Sequence, residues 1–489
     1  MDGAASKRSD ERWSIFDEPG MANVTRQQHS RARPQALEPA RNASLSPGRC
    51  FQPCNRAGPR RPIASRVPVH ALGRGGVEEA EEEERYAVCD ANVRTSIARS
   101  SFAASAPTRA RKDCMVDKPW RAPRMGAFLA RMQITLRHLR DHAVSRSLFA
   151  PTTLARAIER LGFVQADPIR APARAQDLTL RHRVKNYRAG DLERRYPELA
   201  IEEDHFVNYG FLPRRHLAWM TPRAPRRPWN ASTRARVADI LALVRERGEA
   251  HPRDVDAALE HGMVKNAWGG SSKATTHLLE AMQYCGLLRV ARREAGIRIY
   301  APRVTASLDA SPTDRAEALL AIAIAKYAPL PSRSLGGLAT RLRHSAPELA
   351  KELGNAAVRA RVDLPRARVS GVEWYWPVGE DPAASEAPEC VHLLTPFDPV
   401  VWDRQRFELF WGWSYRFEAY TPAPKRKLGY YALPVLWQNE AIGWANVSLS
   451  GSELDVDVGY VSGQAPRERA FVRSLDAELE SLRAFMCRP

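Results

Sequence analysis

Gln165 and Asp167 stand on either side of Ala166, after the apolar residues 161–164 and immediately before Pro168. A carboxylate in such a place can stabilise a positive charge that develops in a substrate, and it can accept a proton from water. A carboxamide can hold a water molecule at any pH, because it does not titrate. The alternative is a helix terminus at which Asp167 caps the following turn.

A second segment with unusual residues covers positions 393–434, where aromatic side chains alternate with basic ones. Aromatic faces and guanidinium groups suit a phosphate backbone and unstacked bases, although most of these aromatics would fit a domain core as well. The sequence PKRK, residues 424–427, brings three cations together in a predicted turn. Together with Arg170 and Arg174, the candidate nucleic-acid contacts are Trp402, Arg404, Arg406, Lys425, Arg426, Lys427 and Tyr430.

The net charge of the chain agrees with such contacts. Lysine and arginine outnumber aspartate and glutamate by 74 to 56, which gives a formal net charge of +18. Residues 125–489 hold 52 of the basic and 41 of the acidic residues, so the excess is not confined to one end. It favours a polyanionic partner, nucleic acid or an anionic membrane surface, although arginine-rich coding from a GC-rich genome gives the same excess.

The first 124 residues are rich in Arg, Ala, Pro and Ser and show no sustained apolar period. We expect this part to be disordered, or to be upstream sequence wrongly joined to the gene. We find no secretory signal and no apolar run of about 18 residues, so we expect a cytoplasmic protein that does not enter a membrane. Four of the seven cysteines lie here, without a disulfide framework or a paired CxxC zinc motif, which suits a reducing compartment.

Beyond residue 124 the apolar pattern divides the chain into four segments. Residues 125–232 are predicted to be helical or winged-helix and contain two short helices before Gln165. Residues 233–303 read as three helices and a hairpin that turns at Ala295 and Gly296, the order of a winged helix. Residues 304–388 are predicted to be helical or winged-helix with a linker, and residues 389–489 to be strands with a final amphipathic helix. The predicted fold class is α+β, mainly helical, with tandem winged-helix domains, a C-terminal β-rich segment and a terminal helix.

Three stretches carry a resemblance to a known family. They are FVQADPIRAPARAQDLTLRHRVKNY from Phe163, LLTPFDPVVWDRQR from Leu393, and YRFEAYTPAPKRKLGYYALPVLW from Tyr415. In this order they resemble the AlkZ-like winged-helix DNA glycosylases, which have a Gln-apolar-Asp or Gln-apolar-Gln motif followed by an Arg-containing segment. The resemblance extends from about Met132 to the C-terminus.

The resemblance implies a monofunctional, metal-independent enzyme without a cofactor that cuts the N-glycosidic bond of alkylated purines, and in some members unhooks interstrand crosslinks. It implies that Gln165 and Asp167 are the catalytic pair. The chemistry agrees, because loss of an alkylated purine leaves an oxocarbenium-like sugar that a carboxylate can stabilise. The expected partner is double-stranded DNA with alkylated bases, and the expected state is a monomer.

One stretch departs from the family pattern. Where the family has a His-Glu pair ahead of a Leu-Pro pair, this chain has Val207 and Asn208. The preceding Glu202, Glu203, Asp204 and His205 could compensate, but residues 187–220 read as helical and aromatic, so we expect these acids at a solvated helix end.

Two other functions fit part of the sequence. A winged-helix DNA-binding protein without catalysis, such as a regulator or scaffold, would need an exposed recognition helix and usually a two-fold dimer. An enzyme would instead need Gln165 and Asp167 in a cleft on the same basic surface as residues 425–427. A nuclease would need clustered carboxylates for metal ions, and the sequence offers no obvious set.

Overall fold

Helices and short antiparallel strands alternate along the chain. The computed structural model describes residues 133–487, apart from 260–262, 266–270, 305–307 and 452. The expectation for residues 1–124 therefore lies outside the described residues. All the described residues belong to one structural unit, and their fold class is α+β. The description "mainly helical" is only roughly right, because small sheets accompany the helices throughout.

The first portion surrounds a three-stranded sheet with helices. Its elements are α1 (Leu136–Ser147), α2 (Leu154–Leu161), β1 (Val164–Gln165), α3 (Ala175–Leu180), α4 (Asp191–Arg195), β2 (Ile201–His205), β3 (Tyr209–Pro213) and α5 (Arg214–Leu217). The two helices expected before Gln165 are confirmed as α1 and α2. The helical prediction for residues 187–220 is wrong for β2 and β3. Because β3 pairs with both β1 and β2, and all its residues are buried, its apolar run is that of a central strand.

The second portion ends in a hairpin. Its elements are α6 (Ala231–Arg247), α7 (Pro252–Leu259), β4 (Met263–Lys265), β5 (Ser271–Lys273), α8 (Ala274–Cys285), β6 (Leu288–Glu294) and β7 (Ile297–Pro302). The predicted turn is confirmed, since Ala295 and Gly296 have φ of 49° and 85°, as a tight hairpin turn requires. Ala250 forms an antiparallel bridge with Tyr300 of β7.

The third portion has the same order of elements as the first portion. Its helices are α9 (Pro312–Tyr327), α10 (Ser332–Ser345) and α11 (Ala350–Asp363). Its strands are β8 (Leu330–Pro331), β9 (Arg366–Val369) and β10 (Val372–Tyr375). The strand order is β8-β10-β9, and the first portion has the equivalent order β1-β3-β2. In the first and third portions, therefore, a helix and a short strand precede further helices and a hairpin, and the last strand pairs with the first.

The C-terminal portion is a four-stranded antiparallel sheet with two helices. Its elements are β11 (Val391–Leu393), α12 (Arg404–Trp411), β12 (Leu433–Trp437), β13 (Glu440–Ser450), β14 (Glu453–Tyr460) and α13 (Arg469–Met486). The predicted final helix is confirmed as α13. It packs against β11 and β14 and buries Leu482 and Phe485.

The start of β1 lies where two hydrophobic cores meet. Val164 packs into a core that joins the first and second portions to the C-terminal sheet. The adjacent Phe163 packs into a different core, built on the third portion. Both residues are 0% exposed. Successive side chains of an extended chain point to opposite sides, so these two neighbours enter different cores. The next residue, Gln165, is thus held between the two cores.

A buried ion pair connects the first portion to the C-terminal portion. The Arg183 guanidinium donates to the two carboxylate oxygens of Asp398 at 2.8 and 3.0 Å, and both residues are 0% exposed. Arg183 also donates to the carbonyl oxygens of Ser147 at 2.7 Å and Thr179 at 2.6 Å. Its charge and its donors are therefore matched inside the protein, as a buried arginine requires.

Removing one partner of this pair should destabilise the fold strongly. Asp398→Ala leaves the Arg183 charge buried without a counter-ion, for which we expect a loss of about 3–5 kcal/mol in the free energy of unfolding. Urea unfolding followed by circular dichroism measures this loss. The control is Glu480→Ala, which breaks the exposed pair with Arg483 and should leave the urea midpoint almost unchanged. A parent-like midpoint for Asp398→Ala would contradict the expectation.

Candidate active site

Strand β1 fixes the main chain at Gln165. Gln165 pairs with Gly210 of β3, and the next N–H, that of Ala166, donates to the carbonyl oxygen of Tyr209 at 3.0 Å. Position 210 must be glycine, because a Cβ there would lie 2.2 Å from the Val164 carbonyl oxygen and 2.6 Å from the Phe163 ring. The sheet therefore places the Gln165 side chain, which is 4% exposed, with little freedom.

The carboxamide of Gln165 contacts the C-terminal portion. The indole Nε1 of Trp402 donates to Oε1 of Gln165 at 3.0 Å. Trp402 is half-buried, and its ring stacks on Tyr327 with a centroid distance of 4.4 Å. Trp402, predicted as a DNA contact, thus lies beside the predicted catalytic amide. Tyr327 could not be predicted as a neighbour of Gln165, because it ends a helix in a different portion.

Asp167 lies two residues further along, in the loop after β1. Its side chain is half-buried, and one oxygen accepts the N–H of Ile169 at 2.9 Å, so it does close a local turn. Burial raises the pKa of Asp167 to about 6, and the Ile169 hydrogen bond partly opposes this rise. Burial also raises the pKa of Tyr431 well above its usual range, and the nearby Asp167 charge adds to the rise. Tyr431 is thus a neighbour of the candidate site.

A buried lysine holds the chain just before Gln165. Lys326, at the end of α9, is 4% exposed and donates from Nζ to the carbonyl oxygen of Phe163 at 2.5 Å. Burial, with a smaller contribution from the Arg183 charge, lowers the pKa of Lys326 to about 7. The third portion therefore supports β1 in two ways. Lys326 binds the main chain just before β1, and Tyr327 stacks on the indole that binds Gln165.

The two arginines after Asp167 differ in their surroundings. Arg170 is exposed, and its Nη2 lies 3.7 Å from where a Cβ would stand on Gly296, at the tip of the β6–β7 hairpin. Arg174 is half-buried and forms an ion pair with Glu193. Burial lowers the pKa of Arg174 to about 10, and the charges of Arg170 and neighbouring Arg293 contribute. Arg170 is thus available to a ligand, whereas Arg174 is already engaged.

The three acids expected at a solvated helix end are instead buried in strand β2. Glu202, Glu203 and Asp204 are 4%, 1% and 2% exposed, so the expectation is wrong. Each one is neutralised by arginine, as buried carboxylates must be. The ion pairs are Glu202–Arg303 at 2.8 Å, Glu203–Arg293 at 2.5 Å and Asp204–Arg223 at 2.9 Å.

Val207 and Asn208, which replace the His-Glu pair of the family pattern, form the turn between β2 and β3. Val207 is 5% exposed and packs into the core of the third portion. The Asn208 carbonyl oxygen accepts the N–H of Phe206 at 2.9 Å, and its side-chain oxygen accepts the N–H of Tyr209. These contacts give both residues a local structural role.

The PKRK loop is exposed, and a buried acid shapes it. Lys425 and Lys427 are exposed, whereas Arg426 is half-buried, donates to the Thr421 carbonyl oxygen, and lies 4.9 Å from the ring centre of Tyr430. Tyr430 itself is 42% exposed. One carboxylate oxygen of Glu418 accepts the main-chain N–H groups of residues 427, 428 and 429. The loop therefore presents two lysines and an aromatic ring from a fixed backbone.

Arg404 and Arg406, which were both predicted to contact DNA, donate to main-chain carbonyl oxygens inside the protein. Arg406 is 1% exposed and donates to the carbonyl oxygens of Tyr327, Pro399 and Val400. Its Nη1 and Nη2 groups are engaged inside the protein, so its contacts support a structural role, and the DNA contact stays a prediction. Arg404 is half-buried and donates to the carbonyl oxygens of Val401 and Pro396. Both arginines therefore hold the segment that carries Trp402.

Two features that other functions would need are absent from the described residues. Within residues 133–487, leaving aside the gaps given above, no group of three or more His, Cys, Asp and Glu side chains is arranged to hold a metal ion. Over the same part of the chain, no helix combines the length and the apolar character that a membrane crossing requires.

The site therefore combines a buried carboxamide with a half-buried carboxylate of raised pKa, and the exposed Arg170 follows three residues after that carboxylate. No solved structure matches the chain at a significant level. The family model described as "DNA glycosylase AlkZ-like" matches residues 158–485, which include both predicted catalytic residues and the whole C-terminal portion through Phe485. This match covers most of the chain, and the protein belongs to the AlkZ-like DNA glycosylase family.

Proposed function

We propose that this protein hydrolyses the N-glycosidic bond of alkylated purines in double-stranded DNA, with Gln165 and Asp167 as its catalytic pair. The observation that carries the proposal is the half-buried Asp167 carboxylate, with a pKa of about 6, beside a carboxamide of fixed orientation. Titratable groups whose pKa is shifted by burial cluster at active sites. Membership of a DNA glycosylase family supports the type of reaction.

The residues fit hydrolysis through a positively charged sugar. The C1′–N bond breaks with its electron pair going to the purine, and ionised Asp167 stabilises the charge left on the sugar. Water then forms the new C1′–O bond, and its proton passes to the Asp167 carboxylate. Gln165 holds this water through its N–H groups. Because an N-alkylated purine is cationic, it leaves readily without a strong general acid.

A purine held in an interstrand crosslink is a reasonable second substrate on the same grounds. The crosslink is an alkyl group on the base, so the bond to be cut and the charge on the leaving base are unchanged. Hydrolysis at one end would release that base from its own strand. The proposal therefore includes unhooking of crosslinks by the same Gln165 and Asp167.

We propose that DNA lies along Arg170 and the PKRK loop. Lys425 and Lys427 are exposed on a loop whose backbone is fixed by Glu418, which suits contacts to phosphates. The recurring order of helix, strand, helices and hairpin supports an interpretation of residues 125–232, 233–303 and 304–388 as winged helices, with residues 389–489 as a further DNA-contacting segment. We propose a monomer that acts on DNA in the cytoplasm.

Replacing the carboxylate tests the catalytic proposal. Asp167→Asn keeps the shape but removes the charge, so we expect base release to slow by roughly a hundredfold, with little change in DNA affinity. The measurement is single-turnover release of N7-alkylguanine from duplex DNA at saturating enzyme, read as alkaline cleavage at the abasic site.

Asp381→Asn is the matched control. Asp381 accepts the N–H of Ala383 at 3.0 Å in the same turn geometry that Asp167 forms with Ile169, so this variant removes the charge of a comparable turn carboxylate elsewhere. It should release bases at the parent rate. If Asp167→Asn is as fast as the parent, or the parent releases no base from any alkylated duplex, a non-catalytic DNA-binding protein becomes the better interpretation.

The pH dependence of the same reaction provides a second test. Only ionised Asp167 can stabilise the sugar cation, and its pKa of about 6 lies above the usual range because of burial. The single-turnover rate should therefore rise with pH up to about 6 and stay level above it. A rate that does not change between pH 4.5 and 7.5 would exclude Asp167 as the group that must be ionised.

Salt dependence tests the proposed DNA surface. Lys425→Ala and Lys427→Ala combined should weaken binding to all DNA sequences alike, and flatten the plot of log affinity against log salt by about 0.9 per lost phosphate contact. The charge-matched control is Arg469→Ala with Arg473→Ala, on the exposed side of α13. If the two double variants change the slope equally, the PKRK loop makes no particular contribution to DNA contact.

A further inference from the structure

The hydrogen bond between Trp402 and Gln165 fixes which way the catalytic amide points. An indole nitrogen can only donate, so the side-chain atom of Gln165 that faces it at 3.0 Å must be Oε1. The Nε2 atom then lies on the other branch of the amide, with its two N–H groups directed away from the indole. Chemistry alone thus settles the assignment of oxygen and nitrogen at this position.

Trp402 is itself held on several sides. Its ring stacks on Tyr327, which is 0% exposed, at 4.4 Å and 25°. The guanidinium of Arg341, an exposed residue of α10, lies 5.0 Å from the Trp402 ring centre, within the range of a cation–π contact. The main-chain N–H of Trp402 donates to the carbonyl oxygen of Asp398 at 2.8 Å. The indole therefore has a fixed place before any ligand binds.

The support of Trp402 extends to Arg406. Arg406 donates to the carbonyl oxygen of Tyr327 and to those of Pro399 and Val400. It thereby ties the end of α9 to the turn that precedes Trp402. Both sides of the stacked Tyr327–Trp402 pair are thus fixed by one buried side chain.

We propose that Trp402 is a positioning residue for excision, which acts by holding the Gln165 amide with its N–H groups toward the reacting water. The proposal rests on the proposed function. A carboxamide without such a hydrogen bond can flip and present either its oxygen or its nitrogen. With Oε1 held by the indole, Gln165 donates to the oxygen of water, and the protons of that water remain directed toward acceptors such as Asp167.

A role of Trp402 in packing alone predicts different results. If the indole only filled space, its N–H would matter for the stability of the fold and not for the rate, and any loss in rate would not depend on Gln165. The test therefore has to remove the N–H while keeping the ring, and to compare the effect with and without the Gln165 amide.

Trp402→Phe removes the indole N–H and keeps an aromatic ring on Tyr327. We expect single-turnover base release at saturating enzyme to slow roughly tenfold, as for loss of one neutral hydrogen bond, with DNA affinity and urea midpoint close to those of the parent. The matched control is Trp413→Phe. Its indole N–H donates to the carbonyl oxygen of Ala441 at 2.8 Å, so the variant loses an equivalent bond away from Gln165 and should keep the parent rate.

A double-mutant cycle decides whether Trp402 acts through Gln165. The variant with both Gln165→Ala and Trp402→Phe should release bases no more slowly than Gln165→Ala alone, because the indole then has no amide to orient. If the two effects multiply, Trp402 acts independently of Gln165 and the proposal is wrong.

A further readout does not depend on activity. In protein labelled with ¹⁵N-tryptophan, the indole N–H resonance absent from Trp402→Phe belongs to Trp402, and it should shift in Gln165→Ala while that of Trp413 stays in place. An unshifted Trp402 resonance overturns the hydrogen bond and the proposal. A parent that releases no base overturns the proposed function, whereas an active parent with an equally fast Trp402→Phe overturns only the role of Trp402.

Discussion

The buried pair of Arg183 and Asp398 is the contact on which the site depends most. The arginine follows the helix after Gln165, and the aspartate lies 215 residues further along the chain. The Asp398 carbonyl oxygen accepts the main-chain N–H groups of Val401 at 2.9 Å and Trp402 at 2.8 Å, so the ion pair fixes the turn that places the indole. Since a buried ion is stable only when it is paired, the two distant segments must come together for either to be satisfied.

A second set of buried ions connects the β6–β7 hairpin to the sheet that carries Gln165. Glu202, Glu203 and Asp204 follow one another in β2, yet all three are buried, because Arg293 and Arg303 of the second portion and Arg223 of the first portion pair with them. Arg293 also donates to the carbonyl oxygen of Gly296 at the hairpin tip. The hairpin is thus fixed relative to β2, and its tip reaches Arg170 in the loop that carries Asp167.

Local patterns predicted the elements whose causes are local. Helices α2, α7 and α13 follow from the apolar period, and the hairpin turn follows from the backbone freedom of Gly296. The acids of β2 misled the prediction because a carboxylate run normally means solvent, and the compensating Arg293 lies 90 residues away from Glu203. The burial of Arg406 could not be predicted for the same reason, since its acceptor at Tyr327 is 79 residues distant.

In the candidate site, too, only the features with local causes could be predicted from the sequence. Gln165 and Asp167 could be singled out from their types and spacing, and their roles remain a prediction that rests on the family resemblance. Trp402 was found as well, but as a DNA contact, because nothing in its surrounding sequence points to an amide 237 residues away. Tyr327 and Arg341 could not be found at all, since their relation to Trp402 arises from the packing of the third portion on the C-terminal one.

The two interpretations of Asp167, a turn cap and a catalytic carboxylate, support each other in the folded protein. Burial raises its pKa, and the Ile169 N–H acts against that rise by donating to the ionised form. With a resulting pKa of about 6, the carboxylate is mostly ionised at neutral pH, although it is half-buried. The Ile169 bond engages Oδ1 and leaves Oδ2 for water or substrate. The turn contact, which the sequence offered as the alternative to catalysis, thus helps to keep the charge that catalysis requires.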